Sequence, residues 1–179
     1  FNGTENQKLY LEDKGSESGG FFVLYNPANQ SFTSASFANN LEITLPRNGT
    51  YILAVQGSSN EETLNYSFSV TTPEVTTTEF TLGEIVNSSI SELGEEDIYT
   101  FTGTAGQTLY YEGISGDFQV ETRLISPSGE QIFSFFTNTS SDRQPLTLVE
   151  SGTYQLIVDG SGNTTGNYSF QLLDIANAT

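Results

Sequence analysis

Four acidic residues crowd one short stretch of the sequence. Glu92, Glu95, Glu96 and Asp97 come just before the run 97–101, which has the composition of a strand. Carboxylates are hard oxygen ligands of the kind that Ca²⁺ takes, together with amide and backbone carbonyls. Glu95, Glu96 and Asp97 are therefore a candidate calcium site. A solvated acidic loop is the alternative interpretation.

A second stretch offers oxygen ligands at alternate positions. Asp159-Gly-Ser161-Gly-Asn163 has the spacing of the first half of a calcium loop. It lacks the glycine and the glutamate that complete an EF-hand loop, and a polar hairpin turn explains the same residues. Asp159 and Asn163 are thus a second candidate metal site, and calcium is the one cofactor that the sequence suggests.

Aromatic residues between 110 and 136 suggest a ligand-binding face. Tyr110, Tyr111 and Phe136 are the candidates, because exposed rings serve as platforms for protein and sugar ligands. Strand alternation places Phe133 and Phe135 on one side of their strand and Phe136 on the other. Packing in a core is the alternative role for these rings.

Missing residue types exclude most catalytic chemistry. The chain has no Cys and no His, which removes thiol chemistry, the usual general base and most zinc sites. Its two lysines, Lys8 and Lys14, lie in a predicted strand and the turn after it. A glycosidase-like carboxylate pair stays chemically available, but no two acids stand out against apolar surroundings. We predict that the chain is not an enzyme.

The formal net charge of −17 also limits the partners. Such a surface repels nucleic acid, because binding to phosphates depends on Lys and Arg. No apolar run approaches the ~20 residues of a membrane span, so we expect no membrane insertion. Acidic, lysine-poor β domains suit a secreted or cell-surface location, where divalent cations are abundant.

The elements that carry these residues occur twice. Residues 49–57 and 152–160 both begin Gly-Thr-Tyr and then alternate apolar side chains, which is the pattern of a strand with one buried face. Tyr-Ser-Phe follows in each copy after a polar turn. Upstream, residues 1–27 align without a gap with residues 101–127. An internal duplication of this kind predicts two copies of one domain.

The duplication and the strand-like composition predict an all-β chain of two tandem, jelly-roll-like antiparallel β-sandwich domains. The first domain spans 1–71 and lacks its opening strands. Residues 72–79 form a Pro/Thr-rich linker that is not expected to pack. The second, complete domain spans 80–175, and 176–179 are a tail or the start of another linker.

The first copy begins late. Residues 79–100 precede the second copy and have no counterpart before Phe1. We interpret the chain as a segment of a longer protein or as a processed product. An open sheet edge invites pairing with another strand, so we expect upstream sequence or a neighbouring chain to complete the first domain.

Six short motifs in the second copy carry a family resemblance. They are Leu82-Gly-Glu, Asp97-Ile-Tyr-Thr-Phe, Ala105-Gly-Gln-Thr-Leu, Leu124-Ile-Ser-Pro-Ser-Gly, Gly152-Thr-Tyr-Gln-Leu-Ile-Val and Gly166-Asn-Tyr-Ser-Phe. In this order they resemble the bacterial pre-peptidase C-terminal domain family, which includes modules similar to the collagen-binding domains of clostridial collagenases. The resemblance implies a non-catalytic β-sandwich in a secreted multidomain protein. It also implies calcium binding in some members, through acidic residues near the start of the domain.

These observations together predict a non-catalytic extracellular module. We expect a structural or adhesive repeat of a larger bacterial surface or fibre-forming protein, assembling by strand complementation at the incomplete first domain. Its partners would be neighbouring repeats or copies of itself. The alternative is a substrate-binding accessory domain of a secreted peptidase or glycosidase, with collagen or a polysaccharide as its ligand.

Overall fold

The fold consists of β-strands joined by turns. The computed structural model describes residues 1–58, 63–117, 119–136, 142–161 and 164–175, with only the backbone of Phe136. Every regular element in these ranges is a strand, which confirms the all-β prediction. No helix in the described ranges is long and apolar enough to cross a membrane. The chain divides into two compact units, Phe1–Pro73 and Glu74–Thr179.

The described part of the first unit contains eight strands. They are β1 (Asn2–Gly3), β2 (Lys8–Asp13), β3 (Gly20–Tyr25), β4 (Ser31–Ser36), β5 (Leu41–Thr44), β6 (Gly49–Thr50), β7 (Ile52–Gly57) and β8 (Phe68–Thr71). Two three-stranded antiparallel sheets form the unit, in the orders β5-β2-β8 and β4-β3-β7, and β1 pairs with β6.

Nine strands lie within the described residues of the second unit. They are β9 (Val75–Glu79), β10 (Ile85–Ile90), β11 (Glu96–Gly103), β12 (Thr108–Gly116), β13 (Val120–Ile125), β14 (Gln131–Phe136), β15 (Leu146–Thr147), β16 (Gly152–Gly160) and β17 (Gly166–Asp174). A five-stranded sheet has the order β14-β13-β16-β11-β9, and a four-stranded sheet has the order β10-β17-β12-β15. The two sheets enclose a sandwich core.

The two units repeat the same pairings. The β3–β7 ladder corresponds to β13–β16, and the β2–β8 ladder corresponds to β12–β17. Even the bulge is shared, since the register shifts directly after Leu24 in one unit and after Leu124 in the other. The sequence duplication is therefore a duplication of structure, strand for strand.

A tyrosine fixes the corresponding corner of each unit. The Tyr51 hydroxyl donates a hydrogen bond to the Arg47 carbonyl, and the Tyr154 hydroxyl donates one to the Glu150 carbonyl, both at 2.9 Å. These rings need a glycine beside them: a Cβ on Gly103 would lie 2.8 Å from Tyr154. The local sequence thus sets how closely the paired strands approach.

The cores of the two units differ. The second unit has one continuous cluster of buried side chains, which includes Phe80, Ile90, Tyr99 and Phe101 from its opening segment. The first unit has two smaller clusters, one around Leu9, Leu24, Ile43, Leu45 and Tyr51 and the other around Leu11, Phe22 and Phe37. Its core lacks the aromatic side chains that the opening segment supplies in the second unit.

The predicted linker 72–79 requires a correction. Residues Val75–Glu79 form β9, which pairs in parallel with β11 from Glu96 to Thr100. The Glu96 amide donates to the Glu74 carbonyl, and the Phe80 amide donates to the Thr100 carbonyl, both at 3.0 Å. Val and Thr favour a pleated strand, so the stretch belongs to the second unit instead of lying free.

Candidate functional site

Glu95 acts as a cap for the turn before β11. Its Oε2 accepts hydrogen bonds from the Ser91 amide at 2.6 Å, the Ser91 hydroxyl at 2.8 Å and the Glu92 amide at 2.9 Å. The side chain is buried, and a buried carboxylate is tolerated when donors surround it. This carboxylate therefore holds the turn in place.

Asp97 lies at the centre of a buried hydroxyl network. Its carboxylate accepts hydrogen bonds from the Thr76 and Tyr168 hydroxyls, and the Tyr168 and Tyr99 hydroxyls are 2.8 Å apart. Burial raises the pKa of Tyr168 far above its usual range, and donation to Asp97 raises it further. The network ties β9, β11 and β17 together.

Glu96 faces the opposite side of β11, as strand alternation requires. Its carboxylate forms an ion pair with Arg123, and the same guanidinium contacts Asp159 Oδ2 at 2.6 Å. Burial raises the pKa of Asp159, while the Arg123 charge opposes the increase. Arg123 thus bridges two acids across β11, β16 and β13.

Calcium binding by these acids stays a prediction. Within the described residues, no three acidic side chains are grouped so that they could hold a metal ion. Glu95, Glu96 and Asp97 each have their own protein partners, and Glu96 and Asp97 point to opposite faces. Asp159 is paired with Arg123, and Asn163 lies outside the described residues. The arrangement supplies structural hydrogen bonds and ion pairs instead of a shared coordination sphere.

The predicted aromatic face is wrong at Tyr111. This ring is buried, stacks on Phe170 at a centroid distance of 5.6 Å and meets the edge of Phe135 at 5.0 Å. Burial raises the pKa of Tyr111 to about 12. Alternation along β12 points Tyr111 into the core, so its ring cannot form an exposed platform.

Tyr110 lies on the other face of β12 and is half-buried. A hydrogen bond to the Asp142 carboxylate raises the pKa of Tyr110. Asp142 borders a cavity of about 380 Å³, together with Ile132, Phe133 and Arg143. The side chain of Phe136 lies outside the described residues, so its role in ligand binding stays a prediction.

The first unit has two strands at sheet edges where the second unit has paired strands. In the second unit, β16 lies between β13 and β11, and β17 lies between β12 and β10. The counterparts β7 and β8 end their sheets within the described part of the first unit. Strand pairing is therefore available on one side of each.

Side chains beside these edges are exposed, although their counterparts are buried. Tyr66 is 55% exposed and its counterpart Tyr168 is 3% exposed; Val70 is 41% exposed and Leu172 is 1% exposed. We call this surface the open face. Its apolar side chains are Phe1, Leu53, Val55, Tyr66, Phe68 and Val70.

The open face leads into a cavity of the first unit. Its volume is about 370 Å³, and its lining includes Leu9, Leu24, Leu53 and Val70. Phe1 stacks on Tyr51 with ring centroids 5.7 Å apart, as Phe101 stacks on Tyr154 at 5.5 Å. Phe1 therefore occupies the position in the first unit that Phe101 occupies in the second.

Sequence reasoning predicted the open edge but missed two features. Tyr66 was not identified as part of it, although the repeated Tyr-Ser-Phe motif aligns Tyr66 with Tyr168. The Arg123 bridge was also missed. Arg123 and Arg143 are the only basic residues after residue 78, so each was worth testing as a partner for the acids.

Comparison with known proteins finds similarity at a low level. The chain matches no family model and no curated protein. A solved structure of Aeromonas hydrophila PliG, a periplasmic lysozyme inhibitor of g-type lysozyme, gives a TM-score of 0.48 at 16% identity over 56% of this chain and 97% of that one. The pre-peptidase C-terminal domain of Bacillus anthracis collagenase gives 0.45 at 16% identity over 56% and 95%. Salmonella Typhimurium PliG gives 0.40 at 24% identity over 56% and 97%. Membership in the pre-peptidase C-terminal family stays a prediction.

Proposed function

We propose that the chain is a non-catalytic extracellular structural module whose first unit is completed by an added β-segment. One observation carries this proposal: the face that is buried in the second unit is open in the first. Tyr66 and Val70 are exposed where Tyr168 and Leu172 are buried. Since the two units share their pairings, the second unit supplies a template for what covers the first.

Covering the open face is favourable for two reasons. Full burial of a large apolar side chain is worth about 1.5–3 kcal/mol, and several such side chains lie together here. A strand added at a sheet edge also forms backbone hydrogen bonds, as in β-augmentation. Ordering the added segment costs conformational entropy, so only a segment that fits both the edge and the cavity would bind well.

The non-catalytic role rests on the protein partners that the acidic side chains already have. Asp97 accepts hydroxyl hydrogen bonds, Glu95 caps a turn, and Glu96 and Asp159 share Arg123. Such carboxylates are committed to the fold. A structural role accounts for the duplicated domains, because tandem repeats lengthen a protein and present the same surface more than once.

The extracellular location rests on composition. A net charge of −17 with two lysines gives a strongly acidic surface, which favours solubility, suits a setting where divalent cations can bind carboxylates, and does not attract nucleic acid. The partner of the open face is accordingly expected to be a polypeptide.

A peptide of residues 74–100 tests this function. It carries the sequence of β9, β10 and most of β11, and it stops where Phe1 takes the place of Phe101. Mixed with the full chain, we expect it to bind with one-to-one stoichiometry in calorimetry. The amides of β7 and β8 should then exchange more slowly with solvent.

Two matched variants locate the binding. Val70 and Ile114 are both 41% exposed, but only Val70 lies on the open face. Val70→Lys should abolish binding, because it places a charge in the covered region, and Ile114→Lys should leave it unchanged. If the peptide neither binds nor slows exchange in β7 and β8, the proposal is wrong.

A second candidate function is that of a substrate-binding accessory module. The observation that favours it is the cavity beside Phe133, Asp142 and Arg143, with Tyr110 bonded to Asp142. Binding to collagen or a polysaccharide in surface plasmon resonance, lost on Tyr110→Ala and Arg143→Ala, would support this role. Unchanged binding by both variants would exclude this surface.

A further inference from the structure

We infer that the segment that completes the first unit carries an Asp-X-Tyr pattern. Its Asp carboxylate accepts a hydrogen bond from the Tyr66 hydroxyl, and its Tyr hydroxyl forms a hydrogen bond with the same Tyr66 hydroxyl. This inference rests on the proposed function and specifies the partner. The partner is a β-segment of the kind that opens the second unit, with a Thr-bearing strand alongside. The pattern in this chain is Asp97-Ile98-Tyr99.

The second unit shows how such a segment is recognised. Asp97 and Tyr99 lie two residues apart on β11, so both point to the same face. Asp97 accepts from the Tyr168 hydroxyl, and the hydroxyls of Tyr99 and Tyr168 are 2.8 Å apart. The Thr76 hydroxyl completes the environment of the carboxylate. The Tyr168 hydroxyl of the receiving strand therefore contacts both polar groups of the Asp-X-Tyr pattern.

Tyr66 is placed to play the part of Tyr168. It precedes Phe68 as Tyr168 precedes Phe170, and each pair of rings is stacked, with centroids 6.3 Å and 6.2 Å apart. Phe68 and Phe170 also occupy the same position in the ladder with β2 and β12. The ring of Tyr66 thus stacks on the next aromatic ring as Tyr168 does, while it is 55% exposed.

Burial of Tyr66 selects the partner. A covered tyrosine hydroxyl that loses water without gaining an acceptor costs about 1–3 kcal/mol. An entirely apolar strand would fill the cavity but leave this hydroxyl unpaired. A strand with a carboxylate at the position of Asp97 supplies the acceptor, and charged acceptors form the stronger hydrogen bonds. Specificity therefore comes from a polar group placed inside an otherwise apolar interface.

A charge-matched peptide variant separates the loss of a hydrogen bond from a change in net charge. The chain carries a net charge of −17, so removing an acid from the peptide reduces repulsion wherever the acid lies. Asp97→Ala and Glu84→Ala in the peptide of residues 74–100 change the charge equally. Glu84 is exposed in the second unit, and Asp97 is buried at the network. Only the loss at residue 97 should weaken binding.

The experiment titrates the full chain, with Tyr66 or with Tyr66→Phe, against the three peptides. We expect Asp97→Ala to weaken binding about 10- to 100-fold, and Glu84→Ala to leave binding unchanged or slightly stronger. With Tyr66→Phe, the effect of Asp97→Ala should shrink to a few-fold, because the two groups no longer interact. Circular dichroism checks that Tyr66→Phe, a change at an exposed side chain, leaves the fold intact.

The outcomes separate this inference from the proposed function. Equal binding by the Asp97→Ala and unchanged peptides would overturn the inference and leave strand completion standing. Absence of binding by every peptide would overturn both. If light scattering shows that the chain associates with itself, and that association instead of the peptide slows exchange at the open face, the occupant is a second copy of the chain and the inferred partner is wrong.

Discussion

Asp97 is a buried carboxylate that accepts hydrogen bonds from two hydroxyl donors. Thr76 and Tyr168 donate to it, and Tyr99 joins through Tyr168. A catalytic acid can be buried in the same way, but the carboxylate of Asp97 already accepts hydrogen bonds from protein hydroxyls. Its role is to fix three strands relative to one another, because each hydroxyl comes from a different strand.

Replacing Asp97 should therefore destabilise the second unit. Asp97→Ala leaves buried hydroxyls without their acceptor, and we expect a loss of about 3 kcal/mol in the free energy of unfolding. Urea denaturation of the full chain, following the transition of the second unit, measures the loss. Glu130→Ala removes an exposed acid of the same unit and should change little. Equal effects of the two variants would contradict the network.

Tyr111 contributes to the alkaline stability of the second unit. Burial raises its pKa from 10.0 to about 12, which means that the folded state favours the neutral ring. The resulting stability is fully present below pH 10.0 and is lost as the pH rises through about 12. We expect the unfolding free energy of the second unit to fall over this range, and to fall less in Tyr111→Phe. Absorbance of tyrosinate should show Tyr111 ionising among the last. Parallel pH profiles for the two proteins would contradict this assignment.

At the scale of elements, β9 shows that a linker and an edge strand can look alike in sequence. The run Val75-Thr-Thr-Thr-Glu79 follows Pro73 and has no apolar alternation. Its composition fits an extended linker as well as an exposed strand, because β-branched residues favour both. The contacts of the run decide between a linker and a strand. The Thr76 hydroxyl donates a hydrogen bond to Asp97 on β11, and Asp97 lies about twenty positions further along the sequence.

A pair of threonines tests whether β9 is held in this way. Thr76→Val keeps the β-branched shape and removes the hydrogen bond to Asp97, so we expect a loss of about 1 kcal/mol. The amide of Phe80, which donates to the Thr100 carbonyl, should exchange faster in this variant. Thr77→Val changes an exposed neighbour on the same strand and serves as the control. If both variants behave alike, the Thr76 hydroxyl does not contribute to holding β9.

The sequence allowed the strand pattern to be predicted because duplication doubles the signal. Gly3 and Gly103, or Tyr51 and Tyr154, mark equivalent positions whose meaning is clear once one copy is understood. The acidic cluster was harder. Adjacent residues of a strand point to opposite faces, which argues against a site shared by Glu96 and Asp97, but nothing local indicates Arg123 as the partner of one and Tyr168 as the partner of the other. Partners separated by 27 and 71 residues are set by the folded sheet order.

At the scale of the whole molecule, the two units act as a matched pair. They share ladders, a bulge and a tyrosine corner, and they differ in the segment β9 to β11. That difference turns one continuous core into two smaller clusters. The second unit therefore shows how the same strands pack when the segment β9 to β11 is present.

Joining a copy of residues 74–100 directly before Phe1 tests this relation within one polypeptide. Because Phe1 already stacks as Phe101 does, the added strand needs no linker to continue into β1. We expect the first unit to gain a few kcal/mol of stability, since burying each large apolar side chain contributes about 1.5–3 kcal/mol before the entropy of ordering is subtracted. Thermal unfolding measures the gain, and the amides of β7 and β8 should become protected. A scrambled segment of the same composition should give neither effect, since it lacks the alternation that faces Tyr66 and Val70. An equal gain from both segments would mean that any added chain stabilises the unit, and that the open face does not select a strand of this pattern.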